Sequence, residues 1–339
     1  MKALVLLSGG LDSLLAVKLM LEQGIEVEAL HFTTMFCQCD TSKSGCLSEA
    51  NELKSVFNVP IKNINSNDSF LEIVKNPRHG YGSNMNPCID CRINMLSTAG
   101  RYMRESGASF LVTGEVLGQR PMSQHRRALD LIEKETGLQG LILRPLSAGL
   151  LEPTIPEKSG WIDRAKLLNI KGRSRKPQMA LAEMFKMKDY PCPAGGCLLT
   201  DPGFSSRVRD LLKYSKSPTT NDFLLLKNGR HFRIDANTKA VIGRDEQDNK
   251  VLTLRKQSGD LLMEIKDFVG PVTILRGDLN PSNVELAAAL TARYSDMPDN
   301  GQKATVIITR DSDEKDEQTG ISPLNHAQVD KYLIKAKGQ

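Results

Sequence analysis

The first residues of the chain constrain its fold more than any other stretch. Ala3 to Leu7 is a continuous apolar run, the pattern of a parallel strand buried on both faces. It passes without a spacer into Ser8-Gly9-Gly10-Leu11-Asp12-Ser13 and then into a broad apolar helical stripe from Leu11 to Gln23, which stops at Gly24. Strand, glycine turn and helix in that order begin an α/β protein, because parallel strands need a crossover connection and a helix is the usual one.

The alternation continues. Val27 to Phe32, Pro60 to Ile64, Ser109 to Thr113 and Leu141 to Leu143 read as further strands, with helices expected over Ser48 to Phe57 and Arg92 to Glu105. The fold class expected is therefore a doubly wound parallel sheet with a second, smaller α+β domain, and its ligand site belongs at the carboxyl ends of the strands. After Pro145 the pattern shifts to shorter helical pieces rich in Lys and Arg, and a linker is expected near Ser215 to Asn221. From Asp222 short strands are expected over Phe223 to Leu226, Phe232 to Ile234, Val251 to Leu254, Leu261 to Ile265 and Val272 to Leu275. A helix from Asn283 to Arg293 and a strand from Thr305 to Thr309 follow, and the charged stretch Asp311 to Gly320 reads as a flexible loop.

The glycine turn carries chemistry. Backbone N–H groups at a helix start attract an anion, and Gly9 and Gly10 let the backbone approach phosphate closely. Ser8 and Ser13 add hydroxyl donors. Asp12, a carboxylate beside phosphates, makes sense with a bound Mg²⁺ between them. The loop has no Lys, which excludes a Walker loop.

The seven cysteines, at 37, 39, 46, 88, 91, 192 and 197, are odd in number and grouped in sequence rather than spread as a disulfide framework. In a reducing cytosol such groups point to metal or redox chemistry. Asn86-Pro87-Cys88-Ile89-Asp90-Cys91-Arg92 sets two thiols three residues apart before a helix, where the helix end and Arg92 favour thiolates that bind iron or zinc, or attack sulfur. Cys37, Cys39 and Cys46 form a further group, read as incidental thiols of a loop or as an auxiliary metal site, with no catalytic role. Met1-Lys2-Ala3-Leu4-Val5 enters the first strand directly, with no n-region or cleavage site, and no long apolar span follows. The expectation is a cytoplasmic protein without membrane contact.

The string from Ser8 to Ser13 resembles the pyrophosphate loop of the N-type ATP pyrophosphatases, which split ATP between its α and β phosphates and place AMP on a substrate oxygen. Leu30-His31-Phe32, the segment Leu111 to Gln119 around Gly114, Ser123-Gln124 and Leu143-Arg144-Pro145-Leu146 are similar to segments of 4-thiouridine synthetases, over roughly residues 1 to 150. The resemblance implies an adenine nucleotide alpha hydrolase-like fold over residues 1–185 and a cysteine-containing segment and linker over 186–221. It implies ATP held by Ser8, Gly9, Gly10, Leu11, Asp12, Ser13, His31, Phe32 and Gly114, and a tRNA substrate whose uracil oxygen is replaced by sulfur. It also implies that Cys88, Cys91 and a remote cysteine, Cys197 rather than Cys192, hold a [4Fe-4S] cluster with one open iron for sulfide. Asp12 and these three thiols are the catalytic candidates. The frame also resembles 2-thiouridylases, which have Asp where Cys88 stands. That departure keeps a persulfide route open, with Cys91 and a remote cysteine as partners and sulfide or a cysteine desulfurase as donor. An amide- or nitrile-forming ligase with structural zinc, and a non-catalytic RNA-binding factor, are the competing readings.

Val241-Ile242-Gly243-Arg244-Asp245, Asp248 to Thr253, Asp260-Leu261-Leu262, Gly270 and Ala292-Arg293-Tyr294-Ser295 resemble the NFACT-R domain, which implies RNA binding within 222–339. Leu262 and Glu264 stand where that family has aromatic and His residues, and Gly270-Pro271-Val272 replaces its Gly-Ser-His turn. A net charge of +5 permits a nucleic-acid partner without demanding one. The residues Arg164 to Lys176, with Arg120, Arg126, Arg127, Arg207 and Arg209, are the candidates for tRNA phosphates. A homodimer is compatible with the sequence, though nothing in it specifies one.

Overall fold

The computed structural model describes residues 1–37, 57–187, 196–298, 301–311 and 314–336. Apart from Phe57, the expected helix over 48–57 lies outside these residues, as do Cys39, Cys46 and Cys192. The chain divides into two compact units, Met1–Thr200 and Asp201–Gln339.

The first unit is built on a parallel five-stranded sheet. Its strands are β1 (Lys2–Leu7), β2 (Glu26–Thr33), β3 (Ile61–Asn65), β4 (Phe110–Thr113) and β5 (Ile142–Leu143), in the order β3-β2-β1-β4-β5. β1 is central because both of its faces are apolar. Ala3, Val5 and Leu7 point to one side, where they pack with helix α1 (Leu11–Leu21). Leu4 and Leu6 point to the other, against helix α3 (Cys88–Glu105) and helix α4 (Arg126–Thr136). Strand order reverses direction at β1 and β4, so the carboxyl ends of these two strands border the crevice where ligands of such sheets bind. Helix α2 (Asn67–Lys75), α4 and two shorter helices, α5 (Ile155–Lys158) and α6 (Lys176–Met184), complete the unit.

The second unit has helix α7 (Pro202–Tyr214), helix α8 (Thr220–Leu225) and a six-stranded antiparallel sheet in the order β11-β10-β8-β9-β7-β6. Its strands are β6 (Arg230–Arg233), β7 (Lys239–Ile242), β8 (Leu261–Ile265), β9 (Thr273–Arg276), β10 (Ala304–Thr309) and β11 (Lys315–Ile321). Helix α10 (Pro281–Arg293) supplies Ala287, Ala288 and Leu290 to one face. Leu225 of α8 and Leu252 of α9 (Glu246–Arg255) cover the other, and α11 (His326–Val329) lies near the end.

Three expectations are corrected here. Phe223 to Leu226 is helical up to Leu225 rather than extended, because Thr219 and Asp222 form a reciprocal capping box that starts α8. Val251 to Leu254 is the end of α9, started by Asp245, whose side chain accepts from the Asp248 N–H. Lys315 to Gly320 is not a loop but most of the edge strand β11, whose charged, exposed side chains suit an edge that pairs only with β10. The expected linker, 215–221, lies inside the second unit, between α7 and α8.

Candidate active site

The turn between β1 and α1 is held by its own hydroxyls. Ser13 Oγ donates to the Gly10 carbonyl at 2.7 Å and accepts from the Ser8 N–H at 3.2 Å, while the Gly10 N–H reaches Ser8 Oγ at 3.4 Å. Gly9 sits at φ +76°, a left-handed conformation that glycine adopts freely. Gly10 occupies the cap position of α1 without any side-chain cap, so no protein side chain competes for the start of that helix. Leu11 is fully buried and anchors the turn to the core.

Gly114, at the end of β4, is explained by this turn. A Cβ there would lie 2.5 Å from both the Asp12 carbonyl carbon and the Ser13 nitrogen. The atoms that Gly114 abuts are those of the turn itself. Asp12 Oδ2 accepts from Gln119 Nε2 at 2.9 Å, whereas Asp12 Oδ1 is buried with no hydrogen-bond partner. An idle carboxylate oxygen in such a loop fits a divalent cation such as Mg²⁺.

His31 lies beside the turn, paired in register with Leu7. Its Nδ1 donates to the Leu7 carbonyl at 3.0 Å, which leaves Nε2 as an acceptor, buried and unpartnered. Burial lowers its pKa despite that hydrogen bond, so the ring is neutral at pH 7. Phe32 packs its side chain among Leu30, Leu96 and Leu111 in the core.

The thiols converge through three chain segments. Met85 N–H donates to the Leu199 carbonyl at 3.1 Å and Leu198 N–H to the Phe36 carbonyl at 2.8 Å, joining 84–91, 196–200 and 34–37. Cys37 and Cys197 form an isolated antiparallel bridge. The bond from Leu198 to Phe36, one residue outside that pair, makes it a non-hydrogen-bonded pair, the kind whose Cα atoms are about 4.5 Å apart. Nothing local in the sequence marks Cys37 as a neighbour of Cys197; strand pairing reveals it. Cys88 opens α3 and its sulfur accepts from Asn86 Nδ2 at 3.1 Å. Burial raises its pKa, opposed by the charges of Arg92 and Arg120. Burial pushes Cys91 and Cys197 up to about 12, with the neighbouring thiols, Cys37 included, adding to the shift. Among the described residues no three such side chains are spaced for a single metal ion.

A buried ion network ties α3 to the glycine turn. Glu115, next to Gly114, lies 3.3 Å from Arg92 and 3.0 Å from Arg144, and Arg144 also pairs with Glu133. Burial would raise the Glu115 pKa, but the two guanidinium groups hold it below the usual carboxylate range. Asp90 accepts from the His79 backbone at 2.9 Å and lies 2.8 Å from its Nδ1, bracing the loop before the thiols. Glu115, Arg144, Gln119, Asn86, His79 and Asp90 were not identified as site residues from sequence. A carboxylate and an arginine many residues apart give no local signal. Of the basic candidates, Arg164 pairs with Glu157 and donates to two carbonyls at 2.9 Å, and Arg126 donates to the Leu150 carbonyl at 2.6 Å. These two brace the first unit.

The sheet order and the glycine turn at its carboxyl edge, with the idle Asp12 oxygen, define an α/β protein with a turn suited to an anion and a cation at the switch point of its sheet. Residues 1–155 match the family described as thiamine biosynthesis protein (ThiI), and residues 229–333 match the NFACT protein RNA binding domain. The chain thus joins a ThiI-like region to an NFACT-R-like region. It is 36% identical over 146 residues to a probable tRNA sulfurtransferase of Lysinibacillus sphaericus, covering 43% of this chain and 34% of that protein. A probable tRNA sulfurtransferase of Finegoldia magna is 34% identical, over 43% of this chain and 36% of its own length. The chain therefore spans about a third of the length of these curated relatives. A solved 4-thiouridine synthetase–RNA complex with bound ATP is 28% identical with a TM-score of 0.36, over 43% of this chain and 37% of that one. Among the described residues no helix is long and apolar enough to cross a membrane.

Proposed function

We propose that this protein is an enzyme that thiolates tRNA: it places AMP from ATP on a uracil carbonyl oxygen and replaces that oxygen with sulfur. The observation that carries the reading is the union, in one unit, of the phosphate turn with its idle Asp12 oxygen and a group of thiols from three segments. The turn amides and Ser8 would bind the β and γ phosphates, and the Asp12 carboxylate would hold Mg²⁺, which offsets charge on departing pyrophosphate. The neutral His31 ring, with Nε2 as acceptor, suits a donor on the adenine.

For the sulfur step, Cys88, Cys91 and Cys197 offer three soft donors, with Arg92 near Cys88 and Cys91 and Arg120 near Cys88 to compensate thiolate charge, a donor set of the kind that would hold a [4Fe-4S] cluster. When bound, such a cluster would supply an open iron to hold sulfide. The pairing of Cys37 with Cys197 favours a second route. In it, a persulfide on Cys197 is attacked at its inner sulfur by the Cys37 thiol, which releases hydrosulfide and closes a Cys37–Cys197 disulfide that a dithiol must reduce.

The test is to incubate the anaerobically purified protein with tRNA, ATP, Mg²⁺ and sulfide, and to measure pyrophosphate and tRNA nucleosides by mass spectrometry. Pyrophosphate and a thiouridine should form in equal amounts. Pyrophosphate with an amidated product, or no ATP cleavage, would overturn the reading. The thiolated position and a homodimer are left to the same experiments and to sedimentation.

A further inference from the structure

The antiparallel register of the second unit sets three cations side by side. Arg233 of β6 pairs with Lys239 of β7, and Lys239 pairs with Arg276 of β9. All three share the sheet face that carries Val241 and Ile274, since Phe232, Ala240 and Leu275 point to the opposite core. Like charges directly opposite on neighbouring strands destabilise a sheet, so this row needs compensation.

The two outer members have it. Arg233 donates to both oxygens of Asp210, at 3.1 and 2.6 Å. Arg276 donates to Asp260 at 2.8 and 2.7 Å and to Asp222 at 2.6 Å. Lys239 between them is 9% exposed, and its nearest carboxylate oxygen, Asp210 Oδ2, is 4.0 Å away and already bonded to Arg233. No hydrogen bond to its Nζ is formed among the described residues. Burial, with help from Arg233 and Arg207, depresses the Lys239 pKa to about 7 against the opposing pull of Asp210 and Asp222. A buried ammonium held this way is costly unless something else supplies acceptors.

Beside it is a cavity of about 310 Å³, lined by all three cations together with Tyr214, Lys216 and Asn237. The one carboxylate at its wall, Asp222, is engaged by Arg276 and Thr219, so the lining is net positive, and Lys239 is its buried cation without a hydrogen bond among the described residues. Four cations against one carboxylate disfavour a bound cation, whereas a tetrahedral anion can take up to three hydrogen bonds from one ammonium. We propose that this cavity binds a phosphate group, free or carried by RNA, with Lys239 as its principal donor. The proposal does not rest on the thiolation reading.

The experiment follows full-length protein, wild type and K239M, by calorimetric titration in phosphate-free buffer with inorganic phosphate and with 5′-phosphorylated and 5′-hydroxyl RNA oligonucleotides. Phosphate should bind the wild type and lose at least tenfold in affinity to K239M. Methionine keeps the apolar stem and removes the buried charge, so the variant should be no less stable. If an oligonucleotide competes with phosphate in the wild type only, RNA is the source; if phosphate binds and neither oligonucleotide competes, the ligand is a free phosphate. Equal phosphate binding by both proteins, or none by the wild type, overturns the site. Should K239M not fold, the Lys239 ammonium can be titrated by NMR in the wild type. Phosphate should move its midpoint upward, and an unmoved midpoint overturns the proposal.

Discussion

Gly114 and Asp12 meet at one contact, yet their replacements should differ in what they do to stability. A Cβ on Gly114 would press on backbone atoms that cannot rotate away, so Gly114→Ala should shift the turn, abolish pyrophosphate release and cost about 1–3 kcal/mol of stability. Asp12→Ala removes a carboxylate whose Oδ1 has no protein partner, so it should abolish pyrophosphate release and leave the thermal midpoint within a few degrees. An active Asp12→Ala protein would refute the loop's role. Lys239 gives a third prediction. Its folded-state pKa of about 7 lies below the ordinary 10.5, so between those values the unfolded chain binds the extra proton and stability rises with pH. Below pH 7 both states are protonated and the penalty is fully present. The slope difference between wild type and K239M, from denaturant unfolding, should approach at most about 1.4 kcal/mol per pH unit, and parallel curves would refute it.

At the scale of elements, two of the thiols lie on α3 while the glycine turn joins β1 to α1, so thiolation and pyrophosphate release should be separable by mutation. Cys88→Ala, Cys91→Ala and Cys197→Ala should each lose thiouridine formation while keeping pyrophosphate release. Cys37→Ala decides between routes: it keeps thiolation if a cluster holds the sulfur, and loses it if Cys37 must resolve a persulfide. The parallel sheet was legible because β1 and most of β4 are continuous apolar runs bounded by turns. α8 and α9 were not, since four apolar residues fit a strand or a helix equally and the capping residues Thr219 and Asp245 decide. β11 reads as a loop because an edge strand hides its pairing behind exposed charge. In the site, the turn and the Cys88–Cys91 pair are local patterns and could be read directly. The Cys37–Cys197 pairing joins segments 160 residues apart and could not.

For the whole molecule, RNA affinity is the property that the proposed function expects to need both units. A chain ending at Thr200 should keep ATP binding but hold tRNA more weakly, with a shallower dependence on salt as phosphate contacts are lost. Equal slopes would remove the second unit from RNA binding. Each unit also closes its own apolar clusters, with Leu14 and Leu96 in the first and Phe232 and Leu290 in the second. Heating should therefore melt the protein in two calorimetric transitions instead of one. A non-hydrolysable ATP analogue should raise one midpoint and leave the other in place, so a thermal scan becomes a map of which half of the chain a ligand occupies.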